Sequence, residues 1–250
     1  MRCAAVVLVL GCASCRAVFG LEPPTHDFGD DASIADTATT DQTIDAQLIA
    51  CRPDINLVAC FEFEGNAMDL APSPNSISAS NVAYASNGVS GQALAVDTAS
   101  RLTIADSLLL DIPAVTIEAW IRLSEPPPAF GRVGVFDVNG QYALFVNYGR
   151  IVSCTAGATF DVGVVPLDQW THVACTASNG KAAGYINGSP TTEVAYGGAL
   201  PTSSTDGGEI GGDSPGPGDR LVGRIDVLRV YRVARSAQDI CIDAGDPGCL

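Results

Sequence analysis

The segment VTIEAWIRL, Val115 to Leu123, carries the densest chemistry in the chain: a carboxylate, an indole and a guanidinium at alternate positions. If it is a strand, its period of two places Thr116, Glu118, Trp120 and Arg122 on one face. Such a face offers an aromatic ring to stack on a sugar, with Glu118 and Arg122 beside it to bond hydroxyls. The plainer reading pairs Glu118 with Arg122 as a surface ion pair and packs Trp120 into the protein. Hydrolysing a glycosidic bond needs two carboxylates about 5 to 9.5 Å apart, and Glu118 has no carboxylate strand-mate. His172 is the sole candidate base outside the N-terminal segment that holds His26, and no G-x-S-x-G turn accompanies it. The stretch GGEIGGDSPGPGD (207–219) lacks the GK[ST] ending of a phosphate loop and reads as a plain loop. The residues therefore point to binding and not to catalysis.

Nine cysteines, scattered and not set in two closely spaced pairs, argue for disulfides over zinc and hence for an oxidising compartment. A net charge of -15 excludes nucleic acid as a partner and leaves cations or neutral sugars compatible with the surface. The apolar run Ala4 to Leu10 is too short to cross a bilayer and reads as the core of a signal peptide over residues 1–20. Val9-Leu10-Gly11-Cys12 behind it resembles the bacterial lipobox, which would lipidate Cys12 and place the protein at the outer membrane or cell surface. Cys15 is a second candidate, and plain secretion is the alternative. A lipid would be the protein's only attachment to a membrane. Residues 21–50 contain neither Lys nor Arg and show no periodicity, so they read as a disordered acidic linker.

Residues 51–250 read as one folded domain of short β-rich runs separated by Gly, Pro, Asn and Asp. The clearest strands are Leu57 to Glu64, Val115 to Leu123, Tyr142 to Tyr148, Arg150 to Ala156, Trp170 to Ser178, Ala182 to Ile186 and Leu221 to Arg232. Asn139-Gly140, Tyr148-Gly149, Asn179-Gly180 and Asn187-Gly188 supply the positive φ that tight antiparallel turns require. Ser236 followed by Asp239 is a capping box for one terminal helical turn. Cys154 and Cys175 lie in two strands expected to run as antiparallel neighbours, which makes them the best disulfide pair.

Taken in order, LVACFEFEGNAMD, GVSGQALAV, VTIEAWIRL, QWTHVACTASNGKAAGYINGSP and LVGRIDVLRVYRVARSAQDI resemble the LamG-like jelly-roll domains of the concanavalin A-like superfamily. The resemblance implies an all-β fold, an antiparallel jelly-roll sandwich with one concave and one convex sheet. It implies a recognition or adhesion module for a glycan or a cell-surface protein, acting as a monomer. A secreted glycan-active hydrolase of the same superfamily is the alternative, although the E-x-D-x-x-E strand of its hydrolases is missing here. It further implies that Trp120 serves as packing and that His172 is a structural strand residue.

A structural calcium is also implied, held by Glu64 or Asp69, a carbonyl near Gly91, and Asp226. Arg224 or Arg229 could instead neutralise Asp226 without a metal. Because first and last strands are neighbours in a jelly roll, Cys51, Cys60, Cys241 and Cys249 are expected to staple the domain's ends, with three connectivities open.

Overall fold

The computed structural model describes residues 50–203 and 205–249. The expected signal segment, Cys12 and the linker up to residue 49 lie outside the described residues. The strands are β1 (Leu57–Phe61), β2 (Ile77–Ser80), β3 (Ala83–Ser86), β4 (Gln92–Val96), β5 (Arg101–Ile104), β6 (Val115–Leu123), β7 (Arg132–Val138) and β8 (Tyr142–Asn147). They continue as β9 (Ile151–Ala156), β10 (Ala158–Val164), β11 (Thr171–Ser178), β12 (Lys181–Ile186), β13 (Ser189–Ala195), β14 (Gly208–Ile210) and β15 (Gly223–Tyr231), before the helix α1 (Ala237–Asp243).

All named strand pairs are antiparallel, in two sheets. One runs β13-β12-β11-β6-β15-β4-β3, with β1 also on β15; the other runs β10-β9-β8-β7-β14-β5-β2. The fold is an all-β jelly-roll sandwich. Alternation explains the layering: Val115, Ile117, Ala119, Ile121 and Leu123 of β6 enter the core between the sheets, facing Leu144, Val146 and Val152 of the other sheet. Each large side chain so buried contributes about 1.5–3 kcal/mol.

Turn chemistry sets the hairpins. Asn179-Gly180 and Asn187-Gly188 both take paired positive φ values, 51° and 77°, then 48° and 75°, the geometry of tight turns that follow strand twist. Ser236 and Asp239 form the reciprocal capping box that opens α1. That helix lies on the outer side of the first sheet, where Ile240 packs with Ala174 and Tyr185.

Three expectations need correction. The stretch 207–219 is not all loop: Gly208–Ile210 forms β14, a central strand between β7 and β5. Cys154 and Cys175 do form a disulfide, but β9 and β11 are not sheet neighbours. Both cysteines point into the core from opposite sheets, so the bond crosses the sandwich. The remaining disulfides are local, Cys51–Cys60 and Cys241–Cys249, so neither staples one end of the domain to the other. Hydrogen bonding of β1 to β15 does that instead.

Candidate functional site

On the outer face of β6, Glu118 is completely buried, not at the surface. Its Oε1 lies 2.9 Å from Arg229 Nε on β15 and its Oε2 3.5 Å from His172 Nε2 on β11. Arg229 also reaches Asp243 at 3.4 Å, and Arg235 joins Asp243 at 2.8 Å. The expected ion pair with Arg122 does not form, because α1 covers this part of the sheet and Arg229 fills the space; Arg122 lies instead 3.9 Å from Asp168. Burial alone would raise the Glu118 carboxyl, but Arg229 and His172 outweigh it and hold it below its usual range. Burial pushes Asp243 up to about 7, with the Glu118 charge adding to the shift. Trp120 is only 5% exposed and packs with Val227, Val89, Trp170 and the edge of His172. This constellation holds the C-terminal helix on the sheet and leaves no open ring for a ligand.

The acidic residues divide between two places. Asp69 is buried and accepts from the backbone of Cys60, Ala71 and Asn75 and from the Asn75 amide, so it pins the loop after β1. Asp226 sits at a bulge of β15, where Val227 is forced to φ 43°, rare for a β-branched residue. Its Oδ2 accepts from Val89 at 2.7 Å and Ser90 at 3.1 Å, and its Oδ1 from Val227 at 2.9 Å. Neither expected arginine pairs with it: Arg224 donates to Ser86 and Arg229 faces Glu118. Glu64 accepts from Gln92 at the end of the same loop. Burial, with the Glu64 charge opposing ionisation, pushes Asp226 up to about 7. A Cβ on Gly91 would fall 2.4 Å from the Glu64 oxygens, and one on Gly88 2.7 Å from Asp226 Oδ2. Two carboxylates therefore converge on a loop that only glycines allow. Among the described residues, the one grouping of three ligand-type side chains is Cys241, Asp246 and Cys249, and its two sulfurs are spent on a disulfide.

The open chemistry lies on the outer face of the other sheet, around Arg132 at the start of β7. Arg132 Nε bonds Asp219 Oδ2 at 2.7 Å, its Nη2 lies 3.3 Å from Asp213, and its guanidinium stacks over Phe145 at 3.8 Å. Both aspartates belong to the segment between β14 and β15, which straps across the sheet. The strap lies so close that a Cβ on Gly134 would meet the Gly212 carbonyl at 2.0 Å, which is why that strand position is a glycine. Glu209 holds Arg220 beneath it, and Ser214 donates its N–H to Asp137 at 2.8 Å. Asp137 is buried; desolvation, reinforced by Asp213, pushes its carboxyl up to about 7.

Three contiguous recesses meet at Arg132. The middle one, about 430 Å³, runs from Arg132 past Asp219 to Glu125. A second ends at Gln141, which is 2% exposed and whose Oε1 has no hydrogen-bond partner. A third is walled by Phe130 and Tyr148, 96% and 56% exposed, whose rings stack with centroids 5.6 Å apart. An exposed aromatic pair beside paired charges suits a ligand with apolar faces and polar edges.

Sequence reasoning missed this site. Phe130 follows a proline run, Tyr148 stands at a turn, and Arg132 and Asp137 belong to a strand not singled out. The available signal was Asn139-Gly140: a tight turn demands a strand on each side, and the one before it is RVGVFDV.

Residues 96–241, more than half of the chain, match the family described as the concanavalin A-like lectin/glucanases superfamily, Laminin_G_3. The chain belongs to this superfamily. Solved structures agree on the fold. Domain 4 of AbnA, a GH43 extracellular arabinanase from Geobacillus stearothermophilus, in complex with arabinotriose, is 19% identical with a TM-score of 0.61, covering 76% of this chain and 98% of that one. The binding domain of Paraclostridial Mosquitocidal Protein 1 is 14% identical with a TM-score of 0.62, covering 76% of this chain and 52% of that one. Trypanosoma rangeli sialidase in complex with the inhibitor DANA is 17% identical with a TM-score of 0.56, covering 77% of this chain and 33% of that one. This superfamily member thus spans about half or less of the latter two. No curated protein matches the chain.

Proposed function

We propose that this superfamily member is a non-catalytic, extracytoplasmic glycan-recognition module. The observation that carries the reading is the exposed Phe130–Tyr148 pair opening onto the Arg132 recesses. Sugar rings present C–H faces to aromatic rings, and their hydroxyls suit the alternating acceptors and donors of Asp219, Asp213 and Arg132. Similarity in fold to a domain solved with arabinotriose supports a sugar over a protein surface as the ligand. The three disulfides support export to an oxidising compartment, and no helix among the described residues is long and apolar enough to cross a membrane.

Binding is favoured over hydrolysis by one specific arrangement. Asp137 is buried beneath Ser214 and accepts its N–H, so it is not presented to the cleft as a catalytic carboxyl. A glycosidase needs its two carboxyls separated and flanking the scissile bond.

The test is a glycan and polysaccharide array probed with the purified, oxidised protein and with Tyr148→Ala. Binding that falls about tenfold or more in the variant supports the reading. Silence of the wild-type protein on sugars, with capture of a cell-surface protein instead, would reject it.

A calcium ion fits Glu64 and Asp226, two carboxylates that converge on the 88–91 loop without an arginine partner for Asp226. Bound there, it would supply positive charge that lets both ionise and ties the loop to β15. Asp69 is left out of this proposal, since it bonds Cys60, Ala71 and Asn75 and no residue of the 88–91 loop. Calcium is expected to raise the unfolding temperature and EDTA to lower it, with Asp226→Asn abolishing the difference. An unfolding temperature indifferent to both would remove calcium from the account.

A further inference from the structure

We propose that the Arg132 cleft selects uncharged glycans and rejects those bearing carboxylate or sulfate groups. The inference rests on the glycan reading and adds the class of sugar. Arginine in a sugar site ordinarily invites an anion, because its planar donors match a carboxylate. Here its charge is already matched. Asp219 holds Nε and Asp213 holds Nη2, and all three side chains remain a third to two fifths exposed at the cleft wall. Arg220, the other cation lining the cleft, is spent on Glu209 and on the carbonyls of Gly216 and Pro217. Glu125 adds an exposed carboxylate with no salt-bridge partner among the described residues.

An incoming carboxylate would therefore meet Asp213, Asp219 and Glu125, and the one exposed guanidinium it could approach already has its charge matched by two aspartates. Like charges so placed disfavour the complex. A hydroxyl meets the opposite situation: it donates to Asp213 or Asp219 and accepts from Arg132, so a vicinal diol satisfies both partners at once. Two further features point to a polar, uncharged ligand. Gln141 on the recess wall is an uncharged amide and adds no cation that could receive an anion. The Phe130 and Tyr148 rings are open to a neutral sugar face.

The test compares the full-length oxidised protein on matched glycans: neutral oligosaccharides, and the same backbones carrying uronate, sialyl or sulfate groups. Calorimetry follows for the best neutral binder at low and high salt, and for Asp213→Asn/Asp219→Asn. The expected result is binding of neutral members at least about tenfold tighter than their anionic counterparts. Affinity for the neutral member should change little with salt. The double variant should gain affinity for anionic members as Arg132 is released; if it fails to fold, wild-type selectivity and salt independence decide alone. Wild-type protein that prefers anionic glycans, with affinity collapsing in salt, overturns this inference and leaves the glycan reading standing. Wild-type protein that binds no glycan of either kind overturns the glycan reading itself.

Discussion

Asp137 gives the candidate site a measurable signature. It faces Arg132 on its own strand, Asp213 and the Ser214 N–H on the strap, and Glu209 across the β7–β14 pairing. Its folded value, about 7, lies well above the ordinary 3.8, so the folded protein holds a proton that the unfolded chain has released. The stability this contributes is complete below about pH 4 and is lost as pH rises through 7. Asp243 shifts in the same direction beneath α1, facing Glu118, Arg229 and Arg235. Thermal unfolding at a series of pH values between 5 and 8 should show stability falling, and Asp137→Asn should flatten part of that slope. An unchanged slope in the variant would mean Asp137 is not the proton holder. At Glu118 the expectation is different: Glu118→Ala takes the nearer of two carboxylates from the buried Arg229, leaving it Asp243 alone, and should cost about 3–5 kcal/mol in urea unfolding. Glycan affinity should be untouched, since that cluster lies on the opposite sheet.

At the scale of elements, the strap between β14 and β15 holds the site together, because it brings Asp213 and Asp219 to Arg132. Gly134→Ala would drive a Cβ into the Gly212 carbonyl, so the strap must lift. Faster proteolysis within residues 211–220 and weaker glycan binding are expected together; normal values for both would contradict the close contact. The same element shows where the sequence was legible and where it was not. β6 could be read residue for residue because its alternation is clean and both its neighbours are central strands. β14 could not, since Gly-Gly-Glu-Ile-Gly-Gly has no alternation and its strand character comes wholly from β5 and β7 on either side. β7 was obscured by its bulge, which turns both Val135 and Phe136 into the core and breaks the period. Glu118 misled for another reason: alternation gives the face, but not that a helix more than a hundred residues later will cover it.

For the whole molecule, the cross-sheet bond between Cys154 and Cys175 is the covalent link between the sheets, closing a loop with a sequence separation of 21. Its loss should cost about 3 kcal/mol, and unfolding of Cys154→Ala/Cys175→Ala under oxidising conditions would measure it. The charge of -15 works against anionic polymers as ligands and suits the proposal of neutral glycans. The most direct measurement of the central claim is calorimetric titration of a neutral oligosaccharide into wild-type protein and into Phe130→Ala/Tyr148→Ala. Saturable binding to the wild type that vanishes in a variant of unchanged unfolding temperature is the predicted result. Equal affinity for both proteins would contradict it and place the sugar elsewhere on the molecule.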